Sequence, residues 1–286
     1  MKNLKKEYDA FGPWILKIKN QEEVPPLFDK YIQYDETSRF YKIPKNITRR
    51  EARPGDELYK SLIAFEENQL VFLKRSKDLL SKQIIEYRNI ECIQNRVDLL
   101  NGTLIIESPD KKVQVPYNAV SSNLIIEVIS RLRNDYIKYF NNTDIVTIKN
   151  DYTLPKNYFY KGILTKMKSK EDIIVLDAQE TIEIIKKEKK WYDHLLDVYN
   201  PMIFQKIMFL TNHRELIIIS RKDGIKRKRS SDYSHIHTYI PLEIIEDVVY
   251  QAHDTYEDLY EVIVFLSNKK LIFYTTHLEI PNPLNI

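Results

Sequence analysis

The fold of this chain is decided by the stretch Leu62-Ile63-Ala64-Phe65-Glu66-Glu67-Asn68-Gln69-Leu70-Val71-Phe72-Leu73. Two apolar runs flank four polar residues, which is the pattern of two β-strands joined by a short hairpin loop. The second half of the chain repeats this pattern, with apolar runs at 207–210 and 216–219 on either side of a polar connection. Because the same order of segments occurs twice, the sequence predicts a fold built from repeated β-modules.

The similarity between the two copies extends outward along the chain. In each copy the hairpin is followed by a longer segment that contains the dipeptide Ile-Glu, called here the Ile-Glu step. Two further apolar runs come next and are interpreted as strands. The pieces are 84–93, 104–106 and 113–115 in the first copy, and 240–249, 262–266 and 271–274 in the second. The two steps are Ile90-Glu91 and Ile245-Glu246. Asn101-Gly102 predicts a turn between strands of the first copy.

A helix is predicted at about 122–140, after the last strand of the first copy. Apolar residues recur at three- and four-residue steps along one face, namely Ile125, Val128, Ile129, Leu132, Tyr136 and Tyr139. Ser121 or Ser122 is expected to cap its amino terminus. The helix should close the first module.

Residues 62–140 resemble the bacterial pleckstrin-homology-like (PH-like) domains, in which bent antiparallel sheets form an open barrel and a carboxy-terminal helix closes one end. The resemblance is carried by the strand pair at 62–73, the segment 84–93, the run 99–104 and the helix at 122–140. Residues 207–274 resemble the family more loosely, and no counterpart of the helix fits after Tyr274. The resemblance implies a mainly β, α+β fold with two PH-like antiparallel open-barrel modules, the second lacking a terminal helix.

The chain length favours two domains, because 286 residues exceed the roughly 100–150 of a typical domain. We predict an extended arm at 1–35 that packs on the first module through Trp14, Ile15 and Phe28. The first module is placed at 36–141 and the second at 145–286. Residues 141–144, Asn-Asn-Thr-Asp, form the predicted linker.

Within the second module, apolar runs predict strands at 158–167 and 172–176. Residues 181–185 alternate like a strand, and the Lys- and Glu-rich residues 186–196 are interpreted as a helix. A module without a terminal helix leaves a sheet end or edge that needs a cover. We expect that cover from residues 186–200, from the amino-terminal arm or from a second subunit.

Composition indicates a cytoplasmic protein. The net charge is only +3, which gives no global field to attract polyanions. Cys92 is the only cysteine, so an intramolecular disulfide is excluded and a reducing compartment is favoured. The amino terminus lacks the apolar run of a signal peptide, and no stretch approaches the ~18 apolar residues of a membrane span. Any membrane contact should be peripheral.

Signals for catalysis are weak. The five glycines are too widely spaced for a dinucleotide fingerprint or a phosphate loop, so no nucleotide cofactor is predicted. His235 and His237 would share one face of a strand as a fragment of a zinc or copper site, but no third ligand is identifiable. Asp254, Glu257 and Asp258 are better explained as a solvated hairpin loop than as catalytic carboxylates. We predict a non-enzymatic protein with no cofactor and no metal.

The most pointed chemical feature is a basic loop at 221–229. The loop contains one carboxylate, that of Asp223, and six cationic side chains, namely Arg221, Lys222, Lys226, Arg227, Lys228 and Arg229. Members of the PH-like family that bind phosphorylated headgroups commonly use cations in a strand-connecting loop, so the resemblance makes these six residues a candidate polyanion site. Lys and Arg can hold phosphate oxygens by charge-assisted hydrogen bonds. The alternatives are nucleic-acid phosphates, with Tyr233 and His235 stacking on bases, and a solvated loop that binds nothing.

A second basic cluster ends in aromatic residues at 186–192, Lys-Lys-Glu-Lys-Lys-Trp-Tyr. That combination suits a membrane interface or a polyanion, although a charged helix face anchored by its Trp is the more common arrangement. The sequence predicts a binding or scaffold protein that engages a protein partner or itself through PH-like modules. Peripheral binding of anionic lipid or nucleic acid through residues 221–229 is the alternative function.

Overall fold

The structure is a computed structural model of the chain. It describes residues 8–9, 11–12, 14–34, 39–45, 47–76, 79–140 and 158–277. The fold is mainly β with additional helices, and the described strands form open sheets. No helix in these ranges is long and apolar enough to cross a membrane.

The chain divides into two compact units. The first contains residues 1–93 and 99–139, and the second contains residues 94–98 and 140–286. Residues 94–98 therefore belong with the second unit although the first unit surrounds them in sequence. The predicted linker at 141–144 lies outside the described residues, and the predicted domain limits stay a prediction.

The first unit contains a five-stranded antiparallel sheet whose strands follow one another in chain order. The strands are β1 (Leu16–Ile18), β2 (Arg39–Pro44), β3 (Tyr59–Phe65), β4 (Gln69–Ser76) and β5 (Leu79–Glu86). Leu62 lies opposite Leu73 and Ala64 opposite Val71, which confirms the predicted hairpin. These four side chains form one core with Phe28. In the predicted arm, Ile15 is also buried, whereas Trp14 is 43% exposed.

Three strands and a helix follow in sequence. The strands are β6 (Cys92–Asp98), which contributes residues 94–98 to the second unit, β7 (Asn101–Glu107) and β8 (Lys112–Asn118). The predicted helix is confirmed as α1 (Ser122–Tyr136), followed by a 3₁₀ turn at Ile137–Tyr139. Its predicted apolar face is buried up to Tyr136, while Tyr139 is exposed.

Two local predictions about this region need correction. Ser121 occupies the N-cap position of α1 as predicted, but its side chain makes no capping hydrogen bond; its hydroxyl instead accepts a hydrogen bond from the Ile15 N–H at 2.8 Å. The turn before β7 does not use Asn101-Gly102, because Leu99 takes the left-handed conformation with φ of 53°. Gly102 lies within β7 opposite Tyr117, whose ring occupies the space a side chain at Gly102 would need.

The second unit contains the helix α2 (Tyr158–Lys168) and the remaining strands. Four long antiparallel neighbours lie in the order β15 (Ser234–Pro241), β13 (Glu215–Ser220), β12 (Ile207–Thr211) and β9 (Ile174–Gln179). A separate three-stranded sheet contains β16 (Ile245–Ala252), β17 (Tyr260–Leu266) and β18 (Lys269–Thr275). The predicted pairing of 207–210 with 216–219 is confirmed, since Phe209 lies opposite Ile218.

The sequence repeat corresponds to a repeat of structure. In each copy of the repeat, four antiparallel strands precede a 3₁₀ helix, and three more strands follow. The four strands are β2–β5 in the first copy and β9, β12, β13 and β15 in the second. The 3₁₀ helices are Tyr87–Asn89 and Leu242–Ile244. Each is followed by a buried isoleucine with nearly the same backbone, Ile90 at φ −74° and ψ 116° and Ile245 at φ −79° and ψ 116°. The Ile-Glu steps therefore mark the same corner in both copies.

The second copy carries two insertions within this frame. Between β9 and β12 the chain forms β10 (Ile182–Glu183), helix α3 (Trp191–Tyr199) and β11 (Met202–Phe204), and between β13 and β15 it forms β14 (Ile225–Arg227). β10, β11 and β14 pair as a small antiparallel sheet. We call these three strands and α3 the insert, and the remaining strands of the second copy the frame.

Two predicted elements of the second unit are wrong. Residues 158–167 are helical, not a strand, because Tyr160 and Leu164 are buried at helical spacing. The Tyr160 hydroxyl donates to the carbonyl oxygens of Gln179 at 2.6 Å and Ile207 at 3.1 Å. The second predicted helix begins at Trp191 rather than at residue 186, because Lys186 forms a β-bridge with Tyr256.

The predicted lack of a terminal helix concerns residues after Thr275, of which 278–286 lie outside the described residues. The strands at 172–176 and 181–185 are present in shifted form, as β9 and the two-residue β10. Residues 186–200 were expected to cover an open sheet end or edge. The apolar face of α3 does not do so, because it is exposed to solvent.

Candidate functional site

A cavity of about 260 Å³ lies in the second unit, where the insert leaves the frame. Its cations are Arg96, Lys206, Arg221 and Lys222, and apolar wall residues come from β18. Arg96 belongs to residues 94–98, Lys206 precedes β12, and the other two cations follow β13. The described residues that line this cavity include no carboxylate. Asp98, outside the lining, lies 3.8 Å from Lys222, and the four cations still give the cavity an excess of positive charge.

The two inner cations repel each other. Burial lowers the pKa of Lys206, the positive charge of Arg221 lowers it further, and Glu180 offsets part of the effect. Arg221 is held in place because its guanidinium donates to the carbonyl oxygen of Ser234. The Lys222 N–H donates to the Ser234 hydroxyl at 2.8 Å. An anion between Lys206 and Arg221 would relieve this repulsion.

Asp232, an acidic side chain close to the cavity, is already occupied by hydrogen bonds. Its Oδ1 accepts from the Ser234 N–H at 2.8 Å, and its Oδ2 accepts from the Gln205 amide at 2.5 Å. Burial raises the pKa of Asp232, but these hydrogen bonds and the nearby Arg221 outweigh burial and lower it. Asp232 therefore stays ionised as a structural group that orders the segment leading into β15.

The six predicted site residues are not one uniform loop. Arg221 and Lys222 line the cavity, whereas Lys226 and Arg227 lie in β14, whose formation corrects the prediction of a continuous loop. Arg227 is mostly committed to structure, with its guanidinium 2.7 Å from Asp197 and 2.9 Å from the carbonyl oxygen of Asn200.

The remaining cations of the predicted site also have local contacts. Lys226 donates to the carbonyl oxygen of Ser230, and Lys228 pairs with Glu183 at 2.7 Å. The Arg229 N–H donates to the Asn200 side chain at 2.8 Å, while its own side chain is exposed. The six cations are therefore divided between a cavity and an ion-paired strand, which the sequence did not indicate, and their role in binding stays a prediction.

His235 and His237 lie together on β15, with ring centroids 5.5 Å apart. Burial lowers the pKa of His235 and the charge of Arg221 lowers it further, so the neutral form is favoured. Within the described part of the chain, no group of three or more His, Cys, Asp or Glu side chains is arranged to hold a metal ion. Asp254, Glu257 and Asp258 are exposed in the connection between β16 and β17, as the loop interpretation expects.

No protein-family model matches this chain, and no curated protein matches it.

What the chain binds must therefore be inferred from its own side chains. Sequence reasoning missed the contribution of Lys206 and of β18 to the cavity, because both are brought there by sheet pairing. It also missed the orientation of α3, whose apolar residues face solvent. A signal for that orientation was present, since Asp193 and Asp197 are four residues apart and so share one face of a helix opposite Leu195 and Tyr199.

Proposed function

We propose that the second unit binds a phosphate-bearing ligand in the cavity between Lys206, Arg221 and Lys222. The supporting observation is the lining itself, which combines four cations with no carboxylate among the described residues. Charge-assisted hydrogen bonds from Lys and Arg to phosphate oxygens are among the stronger polar contacts in proteins. The apolar wall, with Ile272 and Phe273, would contact the carbon skeleton that carries the phosphate.

The architecture in which we place this site is a pair of PH-like modules, without catalytic activity and in the cytoplasm. The support is the repeated order of four strands, a 3₁₀ helix and three strands, which a terminal helix follows in the first unit. A fold shared by many activities is weak support for any one of them, so the ligand is inferred from the cavity alone.

A binding experiment tests this proposal. Isothermal titration with inorganic phosphate and with a soluble phosphomonoester should show binding that weakens as salt rises. The double variant Lys206→Gln with Lys222→Gln should lose about tenfold or more in affinity, because two charged hydrogen bonds are removed. The matched control is Lys60→Gln with Lys82→Gln, two exposed lysines of the first unit. Equal binding by both double variants would refute the cavity as the site.

Parallel experiments identify which class of molecule carries the phosphate. Sedimentation with anionic and neutral vesicles tests lipid headgroups, and a mobility shift with single-stranded RNA and DNA tests nucleic acid. Binding in one experiment that the Lys206→Gln and Lys222→Gln double variant weakens, and the Lys60→Gln and Lys82→Gln control does not, identifies the source. Binding of the soluble phosphomonoester alone would indicate a small-molecule ligand.

Protein interaction by strand addition is a second proposed function, favoured by the edge strand β5. β5 pairs only with β4 within its sheet, and Ser81, Lys82 and Gln83 are exposed. An extended partner segment could pair with this edge through backbone hydrogen bonds. The Lys82 N–H faces the open edge, because the hydrogen-bonded pairs of β4 and β5 include Asn68 with Tyr87 and, in the same register, Phe72 with Gln83. Replacing Lys82 by Pro should reduce capture of such a partner, whereas Lys82→Ser should not; equal capture by both variants would contradict pairing at β5.

A further inference from the structure

Helix α3 is oriented with its carboxylates inward and its apolar side chains outward. Asp193 is 4% exposed, accepts from the Lys190 N–H at 3.1 Å and pairs with Lys186 at 3.0 Å. Asp197 pairs with Lys189 at 3.1 Å and with Arg227 at 2.7 Å. Four polar contacts therefore hold the charged face of α3 against the protein. These contacts set the orientation of the helix.

The outward face of α3 is a continuous apolar stripe. Trp191 is 76% exposed, Val198 79% and Tyr199 70%, and Leu195 lies between them. Residues 191, 195, 198 and 199 recur at the spacing of one helix face. Tyr192 and Leu196 widen the stripe and are also exposed. A soluble surface helix normally turns such residues toward the core, so an exposed patch of this kind indicates an interaction surface.

The surroundings of the stripe are cationic. Lys187 and Lys190 precede the helix and are exposed, and exposed Lys228 and Arg229 lie beside its carboxyl end. Contact with the helix end is direct, since the Arg229 N–H donates to Asn200, and the Lys228 N–H donates to the carbonyl oxygen of Pro201. The two carboxylates within α3 are the ones that face inward. Exposed Glu188 and the Glu183 carboxylate that pairs with Lys228 offset part of this charge, but cations remain in excess, so the surface complements a negatively charged one.

We propose that α3 inserts its apolar stripe into the interfacial layer of an anionic membrane, with the flanking cations on the lipid headgroups. Trp and Tyr side chains favour the headgroup level of a bilayer, where an apolar ring and a polar atom are both accommodated. The nine residues of α3 extend about 14 Å, which is enough to lie in the interface and too short to span it. Cations beside the stripe add electrostatic attraction to acidic lipid.

The stripe and the cavity are separate sites joined by β14. Gly224 lines the cavity, and Arg227 contacts α3. Arg227 pairs with Asp197 on the inward face of α3, so β14 connects the cavity to the side of the helix opposite the stripe. Insertion of α3 does not depend on the phosphate site, and different residues carry the two proposals.

Trp191 reports on insertion directly. In a full-length Trp14→Phe variant, Trp191 is the only tryptophan, because the chain has two. Its emission should be that of an exposed indole in buffer and should shift to the blue with vesicles of phosphatidylcholine and phosphatidylserine. Brominated acyl chains should quench it. Pure phosphatidylcholine vesicles should give a much smaller shift, because the flanking cations have no acidic headgroup to engage.

Matched variants separate insertion from general surface hydrophobicity. Leu195→Ser with Val198→Ser should weaken vesicle binding by about tenfold or more, because two inserted side chains are lost. Leu100→Ser with Val120→Ser, two exposed apolar residues of the first unit, should leave vesicle binding unchanged. The Lys206→Gln and Lys222→Gln double variant should keep the blue shift, so failure of the cavity proposal is distinguishable from failure of this one.

Three outcomes would overturn the inference. One is an absence of vesicle binding, and another is binding that both Ser double variants share equally. The third is Trp191 emission that is already blue-shifted in buffer together with a dimeric mass in sedimentation. That result would assign the stripe to a contact between two copies of the chain.

Discussion

At the scale of single residues, the glycines show how the same substitution can have opposite effects. A Cβ on Gly102 would overlap the ring of Tyr117, a buried neighbour across the β7–β8 pair. A Cβ on Gly162, in helix α2, would meet nothing within 4 Å. The first position needs a residue without a side chain because an aromatic ring covers it. The second has no such constraint.

We predict opposite changes in stability for Gly102→Ala and Gly162→Ala. Gly102→Ala should lower the free energy of unfolding by about 1–3 kcal/mol, because the Tyr117 ring must move within a packed core. Gly162→Ala should raise it by up to about 1 kcal/mol, because alanine favours the helix. Urea denaturation followed by circular dichroism measures both. Equal effects in the same direction would contradict the placement of Tyr117 over β7.

Asp177 is a buried carboxylate that ties the end of β18 to β9. Its Oδ2 accepts from the Thr275 hydroxyl at 3.2 Å, and its Oδ1 lies 2.7 Å from Nδ1 of His277. Asp177 and Thr275 are both buried. The contact joins residues about a hundred positions apart, so it fixes where the chain leaves β18.

We predict that Asp177→Ala lowers the free energy of unfolding by about 1–3 kcal/mol, because the buried Thr275 hydroxyl loses its acceptor. Chemical denaturation at neutral pH measures the change. Asp172→Ala is the control, since that carboxylate is 89% exposed and lies 3.9 Å from His213. A loss no greater than that of the control would show that solvent replaces the contact.

At the scale of elements, the orientation of α3 depends on ionised carboxylates. The hydrogen bond from Lys186 lowers the pKa of Asp193 below its ordinary value of 3.8, and the Lys190 N–H lowers it further. Burial raises the pKa of Asp197, but Lys189 and Arg227 outweigh it and the net shift is downward. Both carboxylates bind protons less readily in the folded state, so they stabilise the fold fully above about pH 4.

We predict that α3 loosens in acid before the frame does. As the pH falls through the lowered pKa values of Asp193 and Asp197, protonation removes their ion pairs and the stabilisation is lost. Hydrogen exchange should then show amides of α3 losing protection between pH 4 and pH 2 while β12 and β13 retain theirs. In Arg227→Gln, α3 should lose protection at a higher pH. Simultaneous loss of protection in α3 and the frame would contradict this prediction.

Strands were more predictable than helices in this chain. The pairs β3–β4 and β12–β13 have continuous apolar runs around short polar connections, a local pattern that sequence displays directly. α2 was mistaken for a strand because its apolar residues cluster, and only burial distinguishes the helical spacing of Tyr160 and Leu164. The position of α3 was predicted in part. Its orientation depends on Arg227, which lies thirty residues away from Asp197 in sequence.

At the scale of the whole molecule, the repeat could be recognised from sequence and the cavity could not. Two Ile-Glu steps mark equivalent corners because a buried isoleucine must leave each 3₁₀ helix with the same backbone angles. The cavity assembles residues from positions 94 to 274, and sheet pairing rather than local sequence brings them together. The predicted site included Arg221 and Lys222, which line the cavity, but not Lys206; whether these residues bind a ligand stays a prediction.

The two insertions also have a consequence for how this protein can change over evolution. Residues 180–206 leave the frame where Gln179 lies opposite Ile207, and residues 221–235 leave it where Ser220 lies opposite Ile236. A short turn across each gap would keep the hydrogen-bond ladders of β9, β12, β13 and β15 intact. The proposed membrane attachment can thus be gained or lost by two insertion or deletion events that leave the strand pairing of the frame unchanged, although buried Ile184, Ile203 and Phe204 of the inserted segments would leave with them. Related proteins that share the frame are therefore expected to differ in the surfaces that they bind.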